Sequence, residues 1–160
     1  MLTLRLARAD DLADLRAIVA QAYAPYIPRI GRPPAPMAAD YGAAVDRREV
    51  WVAVRDGALA GLVVLTAARD HLMLDNLAVR PADQGHGVGA RLLALAEREA
   101  ARLGLAQVRL YTNAAMTENL AYYPRHGYRL THRCEAGGFQ RVFFTKELAA
   151  PDTTSETRRP

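Results

Sequence analysis

The residues best equipped for chemistry are Gln84-Gly85-His86-Gly87-Val88-Gly89, set between the apolar run LMLDNLAV, which ends at Val79, and a long amphipathic pattern. Glycines at this spacing let a backbone approach a ligand closely, and the first N–H groups of a helix lack intrahelical partners. Together with the helix dipole those donors favour an anion, a phosphate group above all. A Walker A loop is excluded, because no Lys-Ser or Lys-Thr pair follows the glycines. Gly85, Gly87 and Ala90 fit a relaxed dinucleotide pattern, G-x-G-x-x-A. However, RPADQ separates them from the strand, and the next strand, QVRLYT, ends without an acid.

Other reactive side chains are sparser. Asp75 is a lone acid within an otherwise apolar run, and its strand alternation groups it with Leu77 and Val79. Five prolines between Pro25 and Pro36 share their segment with Tyr26, Arg29, Arg32, Asp40 and Tyr41. That segment reads equally as a surface connection or as the wall of a binding cleft. His71, His126 and His132 have no metal-ligand spacing, so no metal site is expected. Cys134 is the single cysteine, which excludes an internal disulfide and fits a reducing cytoplasm.

Composition narrows the classes. The 160 residues are 51% hydrophobic and carry a net charge of +4, enough apolar material for one domain with a packed core. Nearly all the positive charge is arginine, with Lys146 the only lysine, and it is scattered. Without a basic stripe or an aromatic platform, nucleic acid is not the expected partner. MLTLRLARADD lacks the run of a signal peptide, and no apolar stretch approaches membrane-spanning length, so a soluble, cytoplasmic protein is expected.

The elements that must position these residues follow from periodicity. Leu2, Leu4 and Leu6 alternate as a strand, and Asp10 or Asp11 can cap a helix with Leu12, Leu15, Ile18, Val19 and Ala22 on its apolar face. Val50–Val54 and Leu59–Thr66 form a hairpin through Asp56-Gly57. A fourth strand over His71–Val79 leads through the glycine turn into a helix from Gly87 to Leu103, with Val88, Leu92, Leu95, Ala96, Glu99 and Leu103 inward and Gly104 as its cap. Gln107–Thr112 should lie parallel to the fourth strand through a right-handed crossover. Thr117 can cap a short helix through Tyr122 and Tyr123. Tyr128–Arg133 and Phe139–Lys146 then pair around Gly137-Gly138. Residues 1–148 form one domain, and the polar segment 149–160 is expected to be disordered.

Gln84-x-x-Gly87-x-Gly89 after a strand ending at Val79 resembles the pyrophosphate-binding motif of the general N-acetyltransferase (GNAT) superfamily. LYTNAAMTENLAYYPRHGYRL resembles the second signature of that family, with Tyr123 four residues before Gly127-Tyr128. The similarity covers roughly residues 2–147. It implies an α/β (α+β) GNAT fold: a mixed, mostly antiparallel seven-stranded sheet with a parallel, splayed central pair, flanked by about four helices.

The resemblance also implies acetyl-CoA as cosubstrate. Leu77, Ala78 and Val79 would hold its pantetheine arm and polarise the thioester carbonyl, an oxyanion-hole arrangement. Amides from Gln84, Gly85, His86, Gly87, Val88, Gly89 and Ala90 would bind the pyrophosphate. Tyr123 would protonate the leaving thiolate, against the alternative of a packed aromatic; Pro124 alters the aim of its hydroxyl. Tyr122 is expected to pack elsewhere. Asp75 is the candidate general base, or a structural carboxylate bonded to backbone. Asn119 orients the cofactor or caps locally. The acceptor, a small-molecule or peptide amine, would meet Tyr26, Arg29, Arg32, Asp40 and Tyr41, the arginines suggesting a carboxylate or phosphate on it. A homodimer is compatible with this reading. The competing class is a GNAT-fold protein that binds acyl-CoA as a sensor without catalysis.

Overall fold

A computed structural model describes residues 1–149, so the expected disordered tail falls, from residue 150 onward, outside the described residues. Strands β1 (Leu2–Leu6), β2 (Val50–Arg55), β3 (Ala58–Ala67), β4 (Leu72–Val79), β5 (Gln107–Asn113), β6 (Arg129–Ala136) and β7 (Phe139–Glu147) form one seven-stranded sheet, in the order β1-β2-β3-β4-β5-β7-β6. Only β4 and β5 pair in parallel; every other pair is antiparallel. Helices α1 (Leu12–Tyr23), α3 (Tyr41–Asp46), α4 (Val88–Arg102) and α5 (Thr117–Arg125) flank the sheet, with α2 (Ile27–Ile30) a single turn. This is the expected architecture.

The sheet separates two apolar clusters. Leu15, Ile18, Val19 and Tyr41 pack with Val50, Val52 and Leu62 on one face. On the other, α4 buries Val88, Leu92, Leu93, Leu95, Ala96 and Ala100 against Leu74, Val108, Leu110 and Phe144. One inward expectation for α4 fails: Leu103 is 44% exposed, whereas the Glu99 side chain, 15% exposed, faces inward and pairs with Arg102 at 2.9 Å. The helix ends at Arg102, and Leu105 N–H bonds back to the Ala100 carbonyl at 2.8 Å, turning the chain before Leu103 can face inward. Leu93 and Ala100 widen the apolar stripe instead.

Caps also differ from expectation. Asp11 stands at the N-cap of α1 but gives that helix no side-chain bond; its carboxylate accepts from Arg5 at 2.8 and 3.1 Å and from the Arg8 amide at 2.8 Å. Met116, not Thr117, occupies the N-cap of α5.

The central feature is a break in β4. Leu74 pairs with Leu65 and Asn76 with Val64, so Asp75 is an extra residue opposite adjacent partners. Such a bulge bends its strand and disrupts the ladder locally. The β4–β5 ladder stops at the same level, its last pair being Leu74 with Leu110. Beyond it the strands splay, and residues 75–79 have no strand partner on that side.

Candidate functional site

The bulge also changes which face each β4 side chain takes. Leu77 and Val79 pack with the α4 cluster, whereas Asp75 lines a recess with Asn76, Val64 and Tyr41 on the α1–α3 face. The expected grouping of Asp75 with Leu77 and Val79 is therefore overturned: an inserted residue shifts the two-residue period by one. Asp75 accepts a hydrogen bond from the Thr66 hydroxyl. Partial desolvation, with a smaller contribution from Glu49, raises its pKa above the ordinary carboxylate value despite that bond.

A cavity of about 440 Å³ occupies the splayed side towards α4. Leu77, Ala78 and Val79 form one wall, and Gln84, Gly85, Gly87, Val88, Gly89 and Ala90 form its end; His86 is not part of the lining. Gly85 and Gly87 have φ of 80° and 81°, a conformation that an L side chain strains to adopt. Their turn delivers the chain into α4, whose first bonded amide is Arg91, reaching the Gly87 carbonyl at 3.1 Å. The amides of Val88, Gly89 and Ala90 therefore have no intrahelical acceptor and point out of the helix end. Gln84 spends its side chain on structure, donating to the Val79 carbonyl at 3.2 Å and fixing the turn to β4.

Tyr123 sits where this cavity meets a second one. It is 6% exposed, packed against the rings of Tyr122 (5.4 Å), Phe144 (5.7 Å) and Tyr128 (5.8 Å). Burial pushes its phenol well above its ordinary pKa of 10.0. The second cavity, about 60 Å³, lies on the α1–α3 side and contains Asp75, Tyr111 and Arg141 under a roof of Pro34, Ala35 and Pro36. Tyr23, Leu77, Asn119 and Tyr123 line both spaces, so they form the threshold between them. Asn119 donates to the Thr112 hydroxyl at 3.0 Å, tying α5 to β5 at that threshold.

Tyr23 is the main residue the sequence reading missed. Its hydroxyl donates to Asn76 Oδ1 and lies 3.3 Å from the Leu77 carbonyl oxygen. Asn76 in turn donates to Tyr41 at 2.8 Å, and Tyr41 to the Pro36 carbonyl at 2.6 Å. This buried chain fixes the proline segment against β4. Tyr122 is likewise not mere packing: it lines the larger cavity, and its hydroxyl hangs over the first turn of α4 at Gly89.

The five residues expected at the acceptor divide: two line the recess beside Asp75 and three lie elsewhere. Tyr26 lines the larger cavity instead. Arg29 is bound to Glu118 at 2.8 Å and lies over the Tyr26 ring. Arg32 reaches the β6–β7 turn, donating to the Gly137 carbonyl with its guanidinium 3.7 Å from the Phe139 ring centroid. Asp40 caps α3 by accepting from the Ala43 amide at 3.0 Å and, with the largely buried Tyr41, lines the recess that holds Asp75. Short helical turns around the prolines gave these side chains internal partners that no sequence pattern announces. Among the described residues, no cluster of His, Cys, Asp and Glu could hold a metal ion, and no helix is long and apolar enough to cross a membrane.

A bulged, splayed parallel pair with an amide-lined helix start beside it defines the GNAT class of acetyltransferase folds. A family model described as acetyltransferase (GNAT) domain matches residues 46–130, more than half of the sequence, and the chain belongs to that family. Solved structures agree on the fold. The PaiA N-acetyltransferase from Thermoplasma acidophilum in complex with coenzyme A superposes with a TM-score of 0.77 at 17% identity, over 92% of this chain and 99% of that one. The ribosomal-protein-S18-alanine N-acetyltransferase from Escherichia coli gives 0.76 at 19% identity, over 98% and 100%. The structure of yncA from Salmonella typhimurium with its cofactor acetyl-CoA gives 0.70 at 20% identity, over 96% and 99%. No curated protein matches the sequence.

Proposed function

We propose that this protein transfers the acetyl group of acetyl-CoA to a primary amine by direct attack. The observation that carries the reading is the pair of cavities meeting at Leu77 and Tyr123, one ended by unpaired α4 amides and the other holding Asp75. Similar structures bound to coenzyme A and acetyl-CoA support the cosubstrate. Its pyrophosphate would rest on the amides of Val88, Gly89 and Ala90, and its pantetheine arm along Leu77–Val79.

Asp75 accepts a proton from the ammonium group of the acceptor, directly or through a water. The freed nitrogen lone pair forms the N–C bond, and the carbonyl π electrons move to oxygen, steadied by β4 backbone donors. As the carbonyl re-forms, the C–S bond breaks and its electron pair leaves on sulfur. Tyr123 donates to that sulfur and regains a proton from solvent, while Asp75 and the nitrogen each give up one proton to solvent, leaving amide, free thiol and one net released proton. A phenol raised by burial holds its proton more tightly than a thiol of ordinary pKa near about 8.5, so full transfer is uphill. The same burial raises the thiol beside it, which narrows the gap. Hydrogen bonding to the developing thiolate is therefore the larger part of the contribution of Tyr123.

Release of free thiol from acetyl-CoA across a panel of amines tests the reading. Turnover with at least one amine is expected, and Tyr123→Phe should lower kcat by roughly tenfold to a hundredfold with acetyl-CoA affinity unchanged. Acetyl-CoA binding without thiol release from any amine would instead identify a non-catalytic acyl-CoA sensor.

A further inference from the structure

The acceptor side holds one cation whose partner is missing. Arg141, half-buried on β7, has no hydrogen-bond or ion-pair partner among the described residues, yet its guanidinium is held 4.4 Å from the Tyr111 ring centroid in the wall of the smaller cavity. Arg29 and Arg32, by contrast, are already engaged with Glu118 and with the β6–β7 turn. A stacked guanidinium keeps its planar fork of donors free at its edge, and that fork matches a carboxylate in a bidentate fashion.

Arg141 and Asp75 line the same cavity from different strands. The β4–β5 ladder ends at Leu74 with Leu110, next to Asp75, while Arg141 pairs with Asn113. The Arg141 side chain folds back from that level over Tyr111, one residue beyond Leu110, which brings its guanidinium towards β4. The cavity of about 60 Å³ holds roughly four to six water-sized groups, which is the backbone of one amino acid. A neighbouring recess of about 150 Å³, sharing Asp75, Asn76 and Tyr111, leaves room for a side chain.

Resting on the acetyltransferase reading above, we infer that the acceptor is a free amino acid, its amine directed to Asp75 beside the threshold and its carboxylate held by Arg141. The charges are complementary at both ends, and Tyr111 serves as the platform that orients the arginine. A peptide N-terminus or a simple alkylamine would leave the Arg141 donors unpaired in a half-buried wall, which costs binding. Arg141 is thus a specificity-determining residue.

The test compares free amino acids with their carboxamides in the thiol-release assay. The acid should exceed its amide in kcat/KM by roughly tenfold to a hundredfold, because a site built for a charged group rejects the analogue lacking it. Arg141→Gln should bring that ratio close to one by raising KM for the acid, with KM for acetyl-CoA unchanged as evidence of a folded enzyme. Arg141→Lys should restore part of the ratio, and Arg129→Gln, an exposed position on β6, should leave it intact. Equal rates for acid and amide in the parent, or an Arg141→Gln variant that keeps the preference, would overturn the assignment while acetyl transfer stands. If no amine of any kind releases thiol, the acetyltransferase reading itself fails and the acceptor assignment falls with it.

Discussion

Gly89→Ala is the perturbation that best isolates the geometry at the start of α4. A Cβ there would stand 2.8 Å from the Tyr122 hydroxyl and 3.8 Å from Val79 Cγ2, so it projects sideways towards α5 rather than along the free amides. Tyr122 cannot swing freely, because the Tyr123 ring lies 5.4 Å away and the His126 ring 4.4 Å away. Overpacking of this kind costs about 1–2 kcal/mol. Alanine gains about 1 kcal/mol over glycine inside a helix, so the net effect on folding stays within about 1 kcal/mol. The displaced ring, however, is pushed into the larger cavity, and losing about 1.4 kcal/mol of binding there weakens acetyl-CoA about tenfold. Tyr122→Phe removes the oxygen at 2.8 Å and leaves the ring carbon at 3.8 Å, an ordinary contact. Calorimetric titration of acetyl-CoA should therefore show Gly89→Ala weakened and Gly89→Ala/Tyr122→Phe restored to the level of Tyr122→Phe alone. A double variant as weak as Gly89→Ala would refute the reasoning, since the methyl group would then be blocking the ligand directly.

Three further variants test other parts of the molecule. Asp75 must be ionised to accept a proton, and its pKa is raised, so kcat/KM should fall on acidification through a value above that of an ordinary carboxylate; Asp75→Asn should lower kcat/KM by about a hundredfold and abolish that limb of the pH–rate profile. The raised pKa also means that the ionised group is held at a cost, so the same variant should melt higher at neutral pH than the parent. Gly61→Ala places a methyl 2.9 Å from the Ala78 carbonyl oxygen and 3.1 Å from Val88, between β3 and α4, and should cost about 2–3 kcal/mol by chemical denaturation. Asp11→Ala should cost about 2 kcal/mol at pH 7. Because Arg5 holds Asp11 below 3.8, its contribution is complete above that value and lost as pH falls through the lower folded pKa, so parent and variant should converge in denaturation midpoint on strong acidification.

The seven strands, the α4 start and the Tyr123 signature were legible in the sequence because they depend on local rules. Alternation, an Asp-Gly hairpin, glycines before a 3.6-residue period and a fixed spacing to Gly127 are all readable without knowing what packs where. Which face Asp75 takes was not legible. It depends on a bulge, and a bulge is set by how β3 registers against β4, a relation between residues distant in sequence. The proline segment failed for a related reason. Its charged residues were visible, but Arg29 and Arg32 found partners on α5 and the β6–β7 turn that only the packed chain brings near. Arg141 carried no signal, being one arginine in an alternating strand until Tyr111 and the splay placed it in a cavity wall. The sequence alone determined the fold and the glycine turn at the start of α4, where backbone amides form the end of the larger cavity and side-chain identity matters little. Tertiary structure alone decided which charged groups beside Asp75 remain unpaired, because that depends on partners brought together only after the chain has folded.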